Sequence, residues 1–342
     1  MPVAFGRSFG TVESQMSSSK HRFCPKSSSF GSCRVLLLVV AAVCFGGLAE
    51  ARAQSPAKVP AKETGSELVS TEVFASVGIV TPGTPFELAI KYTMKPDWHI
   101  YWRNAGGSGM PPEMKIVIPK GYTLGPTRWP TPEVFPGAEP SYGYSKEVVL
   151  LVPVTPPPKL HTGNLKIKFA LDWLVCRKAC LFGSREHVLQ IRTNSGPMVA
   201  PITSARRSLL ATWRARMPKP IQTVVGASAR VDGERLILEG PLGGTAESVW
   251  FYPDDTPGVL PAKPGPIRGR IEGDRFRIDV PLVIQPENAL GEPLRAAGLI
   301  VARSPDSSSI MPSISFEIPI PTSESSSSGV TTPGTHAPAD GG

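Results

Sequence analysis

The sequence predicts an all-β protein: an antiparallel sandwich, a short helix, then a second and smaller β-sandwich. Three observations predict it. Apolar and polar residues alternate in many short runs, as half-buried antiparallel strands require. The 38 prolines and 33 glycines fall largely between those runs, where a β protein needs turns. One stretch after the first set of runs changes to helical spacing.

The first set begins with Leu68-Val-Ser-Thr-Glu-Val-Phe and Phe86-Glu-Leu-Ala-Ile-Lys-Tyr, both alternating. Trp98-His-Ile-Tyr-Trp alternates with large rings. Lys115-Ile-Val-Ile, Val148-Val-Leu-Leu-Val-Pro-Val, Leu165-Lys-Ile-Lys-Phe-Ala-Leu and Val188-Leu-Gln-Ile-Arg complete it. About seven strands in this span fit a sandwich. Between Pro201 and Pro218, Leu209, Leu210, Trp213 and Met217 recur near one helical face, with Thr203 or Ser204 as cap and Pro218 as stop. Its arginines, Arg206, Arg207, Arg214 and Arg216, read as a solvated face on a connector rather than a site for an acidic partner. From Ile221 to Ile320 the β pattern returns. Asp232-Gly233 and Gly273-Asp274 each lie between strand-like arms, and Asp-Gly there is a hairpin signal.

The boundaries follow: 1–53 an export signal, 54–65 a flexible linker, 66–195 the first sandwich, 196–220 the helical connector, 221–320 the second β domain, and 321–342 a disordered tail. The signal rests on order. Basic residues lead, an apolar run spans Val35 to Ala49, and Ala51-Arg-Ala53 offers small residues for cleavage after Ala53. The run is shorter than the roughly 20 residues that cross a bilayer. Met16 offers a second start, and Val43 before Cys44 argues against a lipoprotein. Cleavage removes six of 36 Lys and Arg and two of 28 Asp and Glu, so the formal charge falls from +8 to +4. No dense basic block remains for a nucleic acid, and no later segment is apolar for long enough to span a membrane. The mature chain is expected in the periplasm, where disulfides form.

Three of the five cysteines leave with the signal, and Cys176 and Cys180 remain. In one extended strand they would lie about 13 Å apart, yet a disulfide needs Cα atoms within roughly 7 Å. The chain must turn between them, and strand-like flanks place Arg177-Lys-Ala179 at a hairpin tip. A bridge over so short a loop stabilises by only about 2 kcal/mol, against nearly 5 for a loop of about 100 residues. That weakens its reading as a staple. Arg177 and Lys178 favour a thiolate beside them, which supports a redox pair. These residues alone leave the two readings level. A metal reading, two thiolates with His187, falls short of the four ligands of structural zinc; only His99 and His161 remain as further imidazoles in this domain. No metal site and no cofactor is expected.

Other features point elsewhere. The Gly-rich Asn104-Ala-Gly-Gly-Ser-Gly-Met-Pro-Pro is blocked by Pro111-Pro112 from opening a phosphate-binding helix, and reads as a loop. Trp98, Tyr101 and Trp102 read as packing residues rather than a ligand platform.

Several motifs together resemble one family. Trp98-His-Ile-Tyr-Trp-Arg-Asn-Ala-Gly-Gly-Ser-Gly, Trp129-Pro-Thr-Pro, Tyr142-Gly-Tyr and Asp172-Trp-Leu-Val-Cys-Arg-Lys-Ala-Cys occur in that order. They look like the N-terminal periplasmic domain of the thiol:disulfide interchange protein DsbD, in the branch of the ScsB copper-tolerance proteins. The likeness covers about residues 68–194; the region 221–320 is weakly similar to that branch's second β domain. It implies an immunoglobulin-like sandwich whose cysteines pass reducing equivalents to periplasmic thioredoxin-like or disulfide isomerase proteins. It assigns attack on the partner to Cys180 and resolution to Cys176. It also implies a shielding segment, which falls here on Glu139, Tyr142, Gly143 and Tyr144; Ser141 stands where some members place an aromatic cap. Full-length relatives continue into a membrane electron-transfer domain and a thioredoxin-like domain, so a separate membrane electron donor is expected. Copper handling, or a structural disulfide in a binding or assembly protein, remain the alternatives.

Overall fold

The computed structural model describes residues 64–320, apart from 108, 138, 199, 243, 245, 256–258, 262–264, 285–293 and 305–312. The expected signal, most of the linker and the tail lie outside the described residues.

A four-residue helix, α1 (Gly65–Leu68), opens the chain. Eleven strands follow: β1 (Val69–Ala75), β2 (Ile79–Val80), β3 (Phe86–Met94), β4 (His99–Gly106), β5 (Glu113–Val117), β6 (Thr123–Leu124), β7 (Glu133–Phe135), β8 (Ser141–Ser145), β9 (Glu147–Thr155), β10 (Gly163–Cys176) and β11 (Cys180–Thr193). They form two sheets. One runs β1-β3-β9-β6; the other runs β2-β11-β10-β4-β8-β7, with β5 also paired to β10. Period two explains the pairing. In β10, Leu165, Ile167, Phe169, Leu171, Trp173 and Val175 are buried, and the residues between them are largely exposed. The inner faces of both sheets meet in one apolar core, where Tyr92 packs edge-on against Trp173 with ring centroids 5.9 Å apart.

The helix α2 (Ser204–Ala215) follows, with the Thr203 hydroxyl accepting from the Arg206 amide as N-cap. Its buried residues are Leu210 and Trp213. The arginines are not simply solvated. Arg214 binds Glu87 at 2.6 Å, Arg206 binds Glu72 at 2.8 Å, and Arg216 lies over the Trp213 ring. These pairs pin α2 to the strands β3 and β1.

Ten further strands build two more sheets: β12 (Lys219–Pro220), β13 (Ser228–Asp232), β14 (Arg235–Pro241), β15 (Ser248–Pro253), β16 (Val259–Pro261), β17 (Ile267–Arg268), β18 (Arg270–Glu272), β19 (Arg275–Ile284), β20 (Arg295–Arg303) and β21 (Ile314–Pro319). One runs β12-β21-β20-β15-β17; the other runs β13-β14-β19-β16, with β18 on β19. The tight β13–β14 and β18–β19 turns use Gly233 (φ +57) and Gly273 (φ +64), backbone angles that favour glycine. A second core lies between these sheets. Among the described residues the structure is therefore predominantly β, in four sheets. The cleanly separate sandwiches expected from the sequence are blurred, because Tyr252, Leu299 and Val301 belong to the first core. Tyr252 packs on Tyr142 with centroids 5.2 Å apart.

Glu87 receives both Arg214 and Arg128, and its side chain is only 14% exposed. Glu87→Ala should therefore cost about 1–2 kcal/mol, with salt narrowing the gap. Glu72→Ala removes an exposed pair and should cost under about 0.5 kcal/mol. Urea unfolding of both variants at low and high salt checks the contrast.

Candidate redox site

The pair sits where the turn argument places it. Cys176 ends β10, Cys180 begins β11, and they are register partners joined by a disulfide with Cα atoms 4.2 Å apart. Residues 177–179 form the tip, closed by the Arg177 amide donating to the Ala179 carbonyl at 3.2 Å. Fourteen consecutive register pairs, from Gly163–Thr193 to Cys176–Cys180, hold the hairpin behind it.

The two sulfurs have different surroundings. Cys176 is buried to 3% exposure and clusters with Tyr101, Ala105 and Leu174. Cys180 is exposed. The Tyr101 hydroxyl lies 3.8 Å from Cys180 Sγ. Burial raises the Tyr101 pKa, so its phenol keeps the proton needed to donate.

Register explains how these residues meet. Side chains directly opposite in an antiparallel ladder share a face. One row crosses β8, β4, β10 and β11 as Ser145, His99, Cys176 and Cys180. Two residues along, Gly143 of β8 pairs with Tyr101 of β4, and Leu174 of β10 pairs with Phe182 of β11. Phe182 is 64% exposed, so an apolar ring stands in water beside the exposed sulfur. His99 stacks on Phe135 of β7 at 4.1 Å between centroids and meets Tyr101 edge-on at 5.3 Å. Burial lowers the His99 pKa, and Glu133 opposes that shift. The imidazole is thus neutral at neutral pH.

The expected shielding segment is placed differently from the expectation. Gly143 lies on the outer face opposite Tyr101, and a Cβ there would overlap the Ile100 carbonyl oxygen. Tyr142 and Tyr144, one position to either side, point into the core because strand faces alternate. Tyr142 packs on Trp102 and Tyr252, and Tyr144 donates to the Pro130 carbonyl at 2.7 Å. Glu139 is exposed and lines a cavity of about 510 Å³ with Asn104 and Asp254, toward β15. The aromatic residue at the sulfur is Tyr101, which the sequence placed among packing residues. The Gly-rich loop covers it: a Cβ on Gly109 would overlap the Tyr101 ring. That loop's lack of side chains was the available signal.

The basic neighbours differ from each other. The Arg177 guanidinium lies over the Trp98 ring at 5.0 Å, while Lys178 is exposed at the tip. The metal alternative with His187 fails on position. His187 is seven residues along β11 from Cys180, about 23 Å away. Its Nε2 is 2.7 Å from the Thr71 hydroxyl. Among the described residues, no three His, Cys, Asp or Glu side chains are grouped to hold a metal ion. No described helix is long and apolar enough to cross a membrane.

The bridge closes a short loop at the end of a fully paired hairpin. Reduction should leave the far-ultraviolet circular dichroism unchanged and lower the unfolding free energy by about 2 kcal/mol. Paired urea titrations with and without reductant measure this.

Comparisons place this geometry. Residues 66–191 match the family model described as the thiol:disulfide interchange protein DsbD, N-terminal. None of the curated proteins matches the sequence. Among solved structures, the N-terminal periplasmic domain of ScsB from Proteus mirabilis aligns at 18% identity with a TM-score of 0.50. The alignment covers 76% of this chain and 96% of that one, so it supports a shared fold. AvmM, described as catalysing macrocyclization in alchivemycin A biosynthesis, aligns at 13% identity and a TM-score of 0.25, over 39% of this chain and 92% of that one. The periplasmic chaperone SfaE aligns at 7% identity and 0.23, over 72% and 99%. With its motifs in order and its cysteine pair at a hairpin tip, the segment 66–191 is similar to the N-terminal domain of the thiol:disulfide interchange protein DsbD.

Proposed function

We propose that this chain is a periplasmic thiol–disulfide interchange module, a protein-disulfide reductase acting through a reversible Cys176–Cys180 bond. The observation that carries the reading is the unequal burial of the two sulfurs: one open to a partner, one covered behind it. In the reduced state the Cys180 thiolate attacks a partner disulfide. One partner sulfur leaves as a thiolate and the other joins Cys180. Cys176 then attacks Cys180 Sγ, the second partner thiolate leaves, and the Cys176–Cys180 bond forms. Two electrons have passed to the partner.

Tyr101 supports the first step. Its phenol donates toward Cys180 and stabilises the thiolate that attacks. Lys178 adds positive charge at the tip, and Arg177 does so from its place over Trp98. Shielding in this reading comes from Tyr101, Phe135 and the room left at Gly143. Phe182 supplies an apolar rim for a partner.

The partner class is a periplasmic thioredoxin-like or disulfide isomerase protein, and a separate membrane protein resupplies electrons. The architecture behind the site is two immunoglobulin-like sandwiches, 66–195 and 221–320, joined by the helical connector 196–220.

With a thioredoxin-like disulfide as target, Cys176→Ser should accumulate a mixed disulfide that non-reducing gels resolve. Cys180→Ser should accumulate none. Equal trapping by both variants, or by neither, sinks the assignment. Tyr101→Phe should slow the first attack near pH 7 by roughly tenfold, the loss of one hydrogen bond to a charged group. An unchanged rate in rapid-mixing assays would remove Tyr101 from the mechanism.

A further inference from the structure

The exchange cycle needs a second thiolate at a place that disfavours one. Cys176 lies among Tyr101, Ala105 and Leu174, and burial in apolar surroundings penalises a charged sulfur. Cys180 has the Tyr101 phenol and open solvent; Cys176 has neither advantage. A thiol in that position attacks fastest when its proton leaves as the new bond forms, which requires a neutral base beside it.

We infer that His99 is the proton acceptor for Cys176 in the resolving step. His99 is the register partner of Cys176 on the neighbouring strand, and the two side chains share one face of the sheet. The same row continues to Cys180, so His99, Cys176 and Cys180 are successive register partners across β4, β10 and β11. The ring is held from two sides, stacked on Phe135 and edge-on to Tyr101. The titratable groups that face it are Glu133 from β7, Tyr101 on its own strand and Cys176 across the ladder, while Arg177 at the tip is drawn onto Trp98. Glu133 is itself bound by the Ser145 hydroxyl at 2.7 Å. Burial holds the imidazole below its ordinary pKa despite that carboxylate, which keeps it unprotonated and able to accept.

The step balances. The Cys176 thiol proton passes to an imidazole nitrogen as Cys176 Sγ bonds to Cys180 Sγ. The bond from Cys180 to the partner breaks, and the partner sulfur departs with the electron pair. The imidazolium then returns its proton to that thiolate or to solvent. This role rests on the exchange reading above, and it concerns resolution alone.

A small aromatic disulfide, dithionitrobenzoate, separates the two steps. Mixed in excess with the reduced protein, it releases one coloured thiolate when Cys180 attacks. It releases a second when Cys176 displaces the reagent from Cys180. His99→Phe keeps a ring for the stack and His99→Gln keeps polarity, so one guards against misfolding of the other; melting of the oxidised forms checks both. Both variants should slow the second release by about 100-fold near neutral pH and leave the first within about twofold. Wild type should show a second-release rate that falls as pH drops through the imidazole titration, below about 6.5, an inflection the variants lack. Equal second-release rates with the same pH profile would overturn the role of His99. No first release from wild type would overturn the exchange reading, and this inference with it.

Discussion

The site depends on one constraint, the register of the β10–β11 ladder. Side chains alternate faces along a strand, so a slip of one residue would send Cys176 inward and Val175 outward. The long hairpin prevents that slip because its inner face is specified repeatedly. Leu165, Ile167, Phe169, Leu171, Trp173 and Val175 are all buried in the first core. Most would have to trade places with a polar or less buried neighbour, and burying a large apolar side chain is worth about 1.5–3 kcal/mol. The chemistry at the tip is therefore fixed by packing well behind it. The disulfide need not hold the fold, which leaves it free to open.

The same alternation separates two kinds of aromatic residue. Trp102 and Tyr142 face the core and join the strands to Tyr252. Tyr101 and Phe135 face outward and gather around His99 and the sulfurs. Gly143 makes this possible by carrying no side chain opposite Tyr101, where Ile100 comes closest. One strand, β4, thus carries packing residues on one face and site residues on the other.

Much of this was legible in the sequence. Alternating runs located β1, β3, β9, β10 and β11, helical spacing with a Thr203 cap located α2, and the four-residue cysteine spacing required the turn between 176 and 180. The misses have physical causes. Ser141-Tyr-Gly-Tyr-Ser145 is a strand whose tyrosines face the core; their assignment to a shield came from the family resemblance, and alternation along a short strand with a central glycine was too brief to correct it. Tyr101 meets Cys180 across 79 positions of sequence, and no local pattern reports a contact that only sheet order creates. The α2 arginines looked solvated because their partners, Glu72 and Glu87, lie more than 120 positions away.

The second β region acts on the site through β4. Arg103 pairs with Asp254 at 2.6 Å, and the Asn104 amide donates to the Pro253 carbonyl at 2.8 Å. Both follow directly on Tyr101 and Trp102. Asp254 is largely buried, and burial raises its pKa despite Arg103 beside it, so the pair is shielded from solvent more than a surface bridge is. These ties anchor the strand just past the residue that contacts Cys180. The β4–β8 register also shifts between Tyr101 and Gly106, a break that leaves this stretch less constrained by its own sheet. The anchoring at β15 compensates where the ladder is interrupted. A strand that holds a phenol beside Cys180 and pairs His99 with Cys176 is thereby fixed at both ends, by Cys176 at one and by the second β region at the other.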